Sequence, residues 1–447
     1  MIKSLTALVF IILFLNVSIN INNTITAVLG QEVQGLPELL DSNLRIELVS
    51  DEITDPTSMA FLGPDDILVL EKNDGTVKRI ENGEILEEPL LDLNVNGVDE
   101  RGLLGIAVSR DHPRQTFVFL YYTEAEAKDN GKVLGNRLYR YEFVNETLVN
   151  PKLLLDLPYL PGPAHNGGVI TIGPDNNVYL VIGELLSTVY DKTDQIRTEA
   201  QNYLDGEQVD GRSGILRITQ DGEIVRPSIL GDEHPLDMYY AYGIRNSFGI
   251  DFDPVTGNLW DTENGPSFGD EINLVEPGFN SGWAKVQGIW TVKERIREEG
   301  NRIHSKDKVA SLFGPHDYFV DFNGHGKYSA PEMTFDPVIV PTSIVFVDSD
   351  KLGKQYENSI FIASVNEGIL HFNLTEHRED LSLNGQPTDN KVVYAPEDLE
   401  DAIFATGFDG IITDLEVGPG DGYLYVVSGI RGEQGGHIHR IFLDNNT

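Results

Sequence analysis

One pattern recurs six times and constrains this chain more than any other feature. A turn containing Gly, Pro, Asp or Asn precedes a short run of apolar residues. The copies begin with Gly63-Pro64-Asp65-Asp66 before Ile67 to Leu70, Asp111-His112-Pro113 before Phe117 to Tyr122, and Gly173-Pro174-Asp175 before Val178 to Gly183. They continue with Asp253-Pro254 and Gly257 before Leu259-Trp260, Asn358 before Ser359 to Ala363, and Gly418 to Gly422 before Tyr423 to Val427. Most copies lead through polar residues to a further strand-like run, such as Gly75 to Ile80 or Asn136 to Tyr141. Turns and strand pairs repeated along a chain predict sheets set around a ring. A β-sandwich would show fewer and more evenly spaced strands. The expectation is an all-β, six-bladed β-propeller over residues 31–447, closed where Gly436 to Phe442 meets an N-terminal strand near Ile46 to Val49. Insertions interrupt the repeat, the longest at 284–340. Helical periodicity is nearly absent, with Lys192 to Leu204 as the one weak candidate.

The first 30 residues do not fit that pattern. Lys3 precedes a nearly unbroken apolar run from Leu5 to Leu15, and Asn16, Ser18, Asn20 and Asn22 turn it polar. A spanning helix needs about 20 apolar residues, so this run reads as an export signal with cleavage near Ala27 to Gly30. An uncleaved N-terminal anchor is the alternative and would be the chain's one route to a membrane. Either reading places the propeller outside the cell, where Asn145-Glu-Thr147 and Asn373-Leu-Thr375 could accept glycans. The chain has no cysteine, which rules out disulfides, thiolate metal sites and cysteine nucleophiles. Its formal charge of −38 repels nucleic acid and anionic membrane surfaces. The acid excess fits a solvated surface and suits divalent cations.

Three segments stand apart from the repeat. In Ala164-His165-Asn166-Gly167-Gly168, an imidazole sits beside two glycines at a loop-to-strand junction. It could be a general base or a turn histidine bonded to backbone. Glu184 follows Gly183 at a strand end, where it could take a proton from one imidazole nitrogen and raise the basicity of the other, or simply be solvated. The third segment runs from Gly243-Ile244-Arg245-Asn246 through Trp260-Asp261-Thr262-Glu263-Asn264-Gly265-Pro266 and Gly269-Asp270-Glu271 to Gly282-Trp283. Its carboxylates, amides and carbonyls are hard oxygen ligands suited to Ca²⁺, without the spacing of an EF-hand; Asx-turns and capped bends would have the same composition.

Taken with Glu100-Arg101-Gly102-Leu103-Leu104-Gly105 and Leu120-Tyr121-Tyr122-Thr123, these segments resemble the soluble glucose/sorbosone and aldose sugar dehydrogenases that use pyrroloquinoline quinone (PQQ). The resemblance covers nearly all of the chain after the first 30 residues. It implies hydride transfer from the anomeric carbon of an aldose to the quinone, giving a lactone. It implies that His165 removes the hydroxyl proton, that Glu184 orients it where the family usually has Asp, and that Arg245 stabilises the reducing quinone. Asn246 and Asn264 would lie at the cofactor, Glu100 would be a polar neighbour, and the carbonyls of Gly265 and Pro266 would hold the Ca²⁺. The implied partners are a small sugar and an electron acceptor that the sequence does not specify.

The sequence departs from the family where the cofactor's three carboxylates should be gripped. Asn366 stands where the family has a lysine, and Ile411-Ile412-Thr413 where arginines precede the final-blade Asp414. Lys285 or Arg431 would have to substitute. Ala164 replaces an acidic neighbour of the histidine. Two further readings follow: a non-catalytic propeller binding calcium, a glycan or a protein, and a Ca²⁺-dependent propeller lactonase acting on a neutral ester.

Overall fold

The computed structural model describes residues 36–109, 115–185, 196–292, 319–383, 386–387 and 392–444. The export signal and cleavage expected within the first 30 residues lie outside them. The described residues are almost entirely strand and turn, and their sheets stand in a β-propeller arrangement. Each sheet of four or more strands begins on one inner strand: β1 (Pro56–Gly63), β2 (Leu103–Ser109), β3 (Ile170–Ile172), β4 (Ser247–Phe252), β5 (Pro341–Val347) and β6 (Ile411–Val417). Each inner strand pairs antiparallel with the strand that follows it. Five of the turn motifs lead into these second strands, and the sixth, at 111–113, lies outside the described residues.

The inner strands also touch one another in sequence order, and β6 lies against β1, so the series closes. Polar bonds tie neighbouring sheets at this inner ring. Thr57 donates to the Leu103 carbonyl at 2.9 Å and Thr342 to the Ile412 carbonyl at 2.6 Å. The Asp414 carboxylate accepts from the Met59 backbone at 2.8 Å, from Ser58 at 2.9 Å and from Ser343 at 3.2 Å, so one side chain joins the fifth, sixth and first sheets. Asp251 likewise accepts the Phe346 amide at 2.7 Å across the fourth and fifth sheets. The closing strand is the expected one: Leu44–Ile53 pairs with Gly436–Leu443, with Ile46 opposite Ile441 and Leu48 opposite His439.

Packing follows from the ring. A blade's second strand is covered on both faces, which is why runs such as Ile67-Leu68-Val69-Leu70 are continuously apolar and fully buried. The six larger core clusters each draw on two neighbouring sheets. Phe119, Tyr121 and Leu138 pack with Leu180, Ile182 and Leu216, and Phe361 and Ala363 pack with Leu415 and Val426. Each buried Ile, Leu or Phe stabilises by about 1.5–3 kcal/mol relative to exposure.

The helix expected over 192–204 is not formed in its described part. Residues 192–195 lie outside the described residues, and the remainder holds a single 3-10 turn, Glu199–Gln201, whose polar end is tied into tertiary bonds. No described helix is long and apolar enough to cross a membrane. Of the insertion at 284–340, residues 293–318 lie outside the described residues.

Candidate active site

Every singled-out side chain lies at one end of the ring, where inner strands begin and second strands end. Glu100 precedes β2, His165 precedes β3, and Arg245 and Asn246 precede β4. Glu184 follows the second strand of the third sheet, Asn177–Ile182. Asn264 to Pro266 follow that of the fourth, Leu259–Glu263. Gly183 permits the two loops to meet: a Cβ there would sit 2.5 Å from the His165 carbonyl and 2.6 Å from that of Arg245.

The structure brings His165, Glu184 and Arg245 into one chain of bonds. The imidazole Nδ1 lies 3.0 Å from Glu184 Oε1, and Nε2 lies 3.0 Å from Arg245 Nη2. A guanidinium nitrogen can only donate, so Nε2 accepts and Nδ1 carries the proton toward Glu184. This fixes the neutral tautomer in which Nε2 is the basic nitrogen. The His165 backbone is left-handed, with φ 59°, and its amide donates to Glu100 Oε2 at 2.6 Å. Glu100 therefore acts on the histidine's main chain, which the sequence reading missed.

Glu184 is 1% exposed, and its second oxygen accepts from the Trp283 indole at 2.5 Å and from Gln201 at 3.5 Å. The Arg245 guanidinium also lies over the Trp283 ring, 5.5 Å from its centroid. Trp283 thus contacts both partners of the histidine. Arg245 Nη1 donates to the carbonyls of Asn264 at 2.6 Å and Gly265 at 3.0 Å. Burial pulls the Arg245 pKa down, and the charges of Glu184, Glu100, Asp270 and Glu263 oppose this.

The amides serve mainly as struts. Asn246 accepts from the Gly167 backbone at 3.1 Å and donates to Glu100 at 3.4 Å, while Asn264 donates its side chain to the Pro341 carbonyl at 2.9 Å. The carboxylates of the third segment turn inward. Asp270 accepts the amides of Gly265 at 2.8 Å and Val340 at 2.7 Å, which sets the Gly265-Pro266 turn. The Ser281 hydroxyl lies 2.6 Å from Glu263 and 2.9 Å from Glu271. One hydroxyl hydrogen cannot serve two carboxylates, so one of them holds a proton. In agreement, burial pushes the Glu263 pKa well up and that of Glu271 to about 8. Glu263 also accepts the Arg245 amide at 2.7 Å, so this buried pair supports the arginine from below. Among the described residues no group of three or more His, Asp or Glu is placed to hold a metal ion, and the segment's acids Asp270, Glu263 and Glu271 are taken up by protein donors. The hard donors left at the mouth are the Gly265 and Pro266 carbonyls, the first already accepting from Arg245.

Beside this constellation, at the centre of the mouth, lies a cavity of about 180 Å³. Its wall includes Lys72, Glu100, Thr342, Thr413, Asp414 and Arg431. Asn366 is absent from it and donates to the Val338 carbonyl at 3.0 Å. Lys285 lies over the Tyr203 ring at 4.8 Å.

The sequence model of the Glucose / Sorbosone dehydrogenase family matches residues 53–439. Quinoprotein glucose dehydrogenase B of Acinetobacter calcoaceticus is 31% identical over 262 residues, 55% of this chain and 53% of that protein. Aldose sugar dehydrogenase YliI of Escherichia coli is 25% identical over 394 residues, 87% of this chain and 90% of that protein. The PQQ-bound aldose sugar dehydrogenase of Streptomyces coelicolor superposes with a TM-score of 0.60 at 22% identity, covering 89% of this chain and 98% of the other.

Proposed function

As a chain that belongs to the glucose/sorbosone dehydrogenase family, this protein is, we propose, a quinoprotein sugar dehydrogenase that oxidises an aldose to its lactone. The carrying observation is the His165 ring held between Glu184 and Arg245 at 3.0 Å on each side. In the same reading the closed series of inner strands is a six-bladed ring. Residues 1–30 direct the chain out of the cell or anchor it there.

The residues present fit PQQ. A cavity lined by two cations and several hydroxyls shares Glu100 with the His165 constellation, and the Thr413 hydroxyl, an atom shielded from solvent, has no partner among the described residues. Bound there with Ca²⁺, PQQ would supply the hydride acceptor. The carbonyls of Gly265 and Pro266 would hold the calcium.

The chain's own groups do the rest. A sugar hydroxyl at Nε2 takes the place of the Arg245 contact and gives its proton to His165. Glu184 accepts the Nδ1–H bond throughout and stabilises the imidazolium that forms, the role of a buried carboxylate behind a base. Arg245 stays on the Asn264 and Gly265 carbonyls through Nη1, which leaves Nη2 aimed at oxygen charge developing beside the base. Trp283 and Gln201 keep the Glu184 carboxylate from rotating away.

The test is dye reduction by purified protein loaded with PQQ and Ca²⁺ across a panel of aldoses, with lactone detected by NMR. Dye reduction with lactone formation supports the reading. A PQQ-free hydrolysis of lactones in the same preparation would replace it with the hydrolase. Loss of all turnover with intact folding would leave a binding propeller.

A further inference from the structure

The structure assigns the grip on the cofactor's carboxylates to Lys72 and Arg431, not to the positions where the family carries its cations; this rests on the proposed use of PQQ. The turn after each second strand reaches the mouth. In the third sheet that turn carries Glu184, in the fourth Asn264, and in the fifth Asn366, the family's lysine position. Going round, the sixth sheet places Arg431 two residues after its second strand, Leu424–Gly429, and the first places Lys72 one residue after Asp66–Glu71. The cations are therefore still in this tier, moved one and two sheets along the ring. Both line the same cavity as Thr57, Ser58, Thr342 and Thr413.

The bonding in that wall favours an anion. Its carboxylates are already met by protein donors: Glu100 by the His165 amide, and Asp414 by Met59, Ser58 and Ser343. The Lys72 ammonium is buried and faces acceptors that are neutral: Asn73 Oδ1 at 3.1 Å and the carbonyls of Gly97 at 3.4 Å and Asp99 at 3.0 Å. Arg431 donates one nitrogen to the Asp99 carbonyl and lies 3.4 Å from the Asp99 carboxylate, with its side chain 53% exposed. Thr413, at a family arginine position, keeps a hydroxyl that no described group satisfies. A planar polycarboxylate entering here would meet two cations and a free hydroxyl, the donors such a group requires.

Burial pulls the Lys72 pKa down to about 8, and Asp55, Asp99 and Glu100 oppose that fall while Arg431 adds to it. A carboxylate seated beside Lys72 raises the bound-state value. Affinity is then full below pH 8 and falls as pH rises through and above it.

The experiment is equilibrium titration of the metal-loaded protein with PQQ, read by cofactor absorbance and by calorimetry, without substrate. Arg431→Gln, at an exposed position, should weaken binding about tenfold or more. Lys72→Met should weaken it further and abolish the pH dependence above 8, with thermal unfolding used to confirm that the variant folds and Lys72→Arg restoring affinity. The trimethyl ester of PQQ should bind the parent no better than PQQ binds the double variant. Equal affinity in parent and Arg431→Gln, or ester binding as tight as PQQ, would overturn the assignment while leaving PQQ dependence intact. No binding of PQQ to the parent would instead remove the reading on which the assignment rests.

Discussion

The mouth of the ring has two sides that differ in how their functional residues are held. On the third and fourth sheets, His165, Glu184 and Arg245 are buried and cross-tied through Trp283, Glu100 and the Gly265 carbonyl. On the fifth and sixth, the Asn366 side chain bonds one backbone carbonyl and the Thr413 hydroxyl bonds none of the described groups. By the resemblance drawn from the sequence, the first side keeps the family's histidine and arginine and departs at Glu184 and Ala164. The second lacks the family's cations at Asn366 and Thr413. The difference has a physical basis: a charged side chain built into a buried network cannot be replaced without stranding its partners, whereas a cation directed only at a ligand can move to a neighbouring turn that reaches the same space.

The comparison can be broken most sharply on the tied side. His165→Ala should lower steady-state turnover of the loaded enzyme by about 10²-fold or more at temperatures where calorimetry shows the variant folded, with a fall in melting temperature because Glu184 and Arg245 lose a buried partner. Parent-like turnover would remove the base. A smaller effect is expected at the residue behind it. Trp283→Phe keeps a ring beneath Arg245 but deletes the N–H that holds Glu184. Turnover should fall about tenfold and the acid limb of the pH–rate profile should shift, with KM nearly unchanged. A uniform loss of stability with an unmoved profile would make Trp283 a packing residue only.

The ring that carries both sides offers a stability test. Burial pushes the Asp251 pKa up to about 7, against 3.8 for a solvated aspartate. Between those values the folded state holds a proton that the unfolded state has lost, so stability from this group falls as pH rises across the window. Asp251→Asn, which keeps an acceptor for the Phe346 amide, should flatten the decline of melting temperature between about pH 4 and 7. An unchanged slope would show that Asp251 does not titrate there. The smallest effect is expected on the untied side: Asn366→Ala should alter PQQ affinity and turnover by less than about twofold, since its amide meets a backbone carbonyl outside the cavity. A large loss would return the cofactor grip to the fifth sheet.

Much of this was legible in the sequence, and the limits are informative. The turn motifs located the second strands because a covered strand needs an unbroken apolar run, and the closing pair was legible as two strand patterns at opposite ends of the chain. His165, Glu184 and Arg245 stood out because they interrupt the repeat at strand ends. What spacing could not carry was which turn faces which. Trp283 reaches Glu184 across 99 residues, Glu100 reaches the His165 amide across 65, and Arg431 meets Asp99 across 332. The acids of Asp261 to Glu271 left two readings open, metal ligands or capped bends, for the same reason. Oxygen-rich composition suits a metal, but the direction of each carboxylate is set by buried donors such as Ser281 and the Gly265 amide, which no local pattern reveals.

The most direct test of the central claim is an anaerobic single turnover. Protein loaded with Ca²⁺ and one equivalent of PQQ is mixed with an aldose that it oxidises in the dye assay, and the cofactor's absorbance is followed. The account predicts reduction of one cofactor per chain with one lactone formed in the parent, and a rate lowered by about 10²-fold or more in His165→Ala. Full cofactor occupancy with no spectral change in the parent, or equal rates in both proteins, would contradict it.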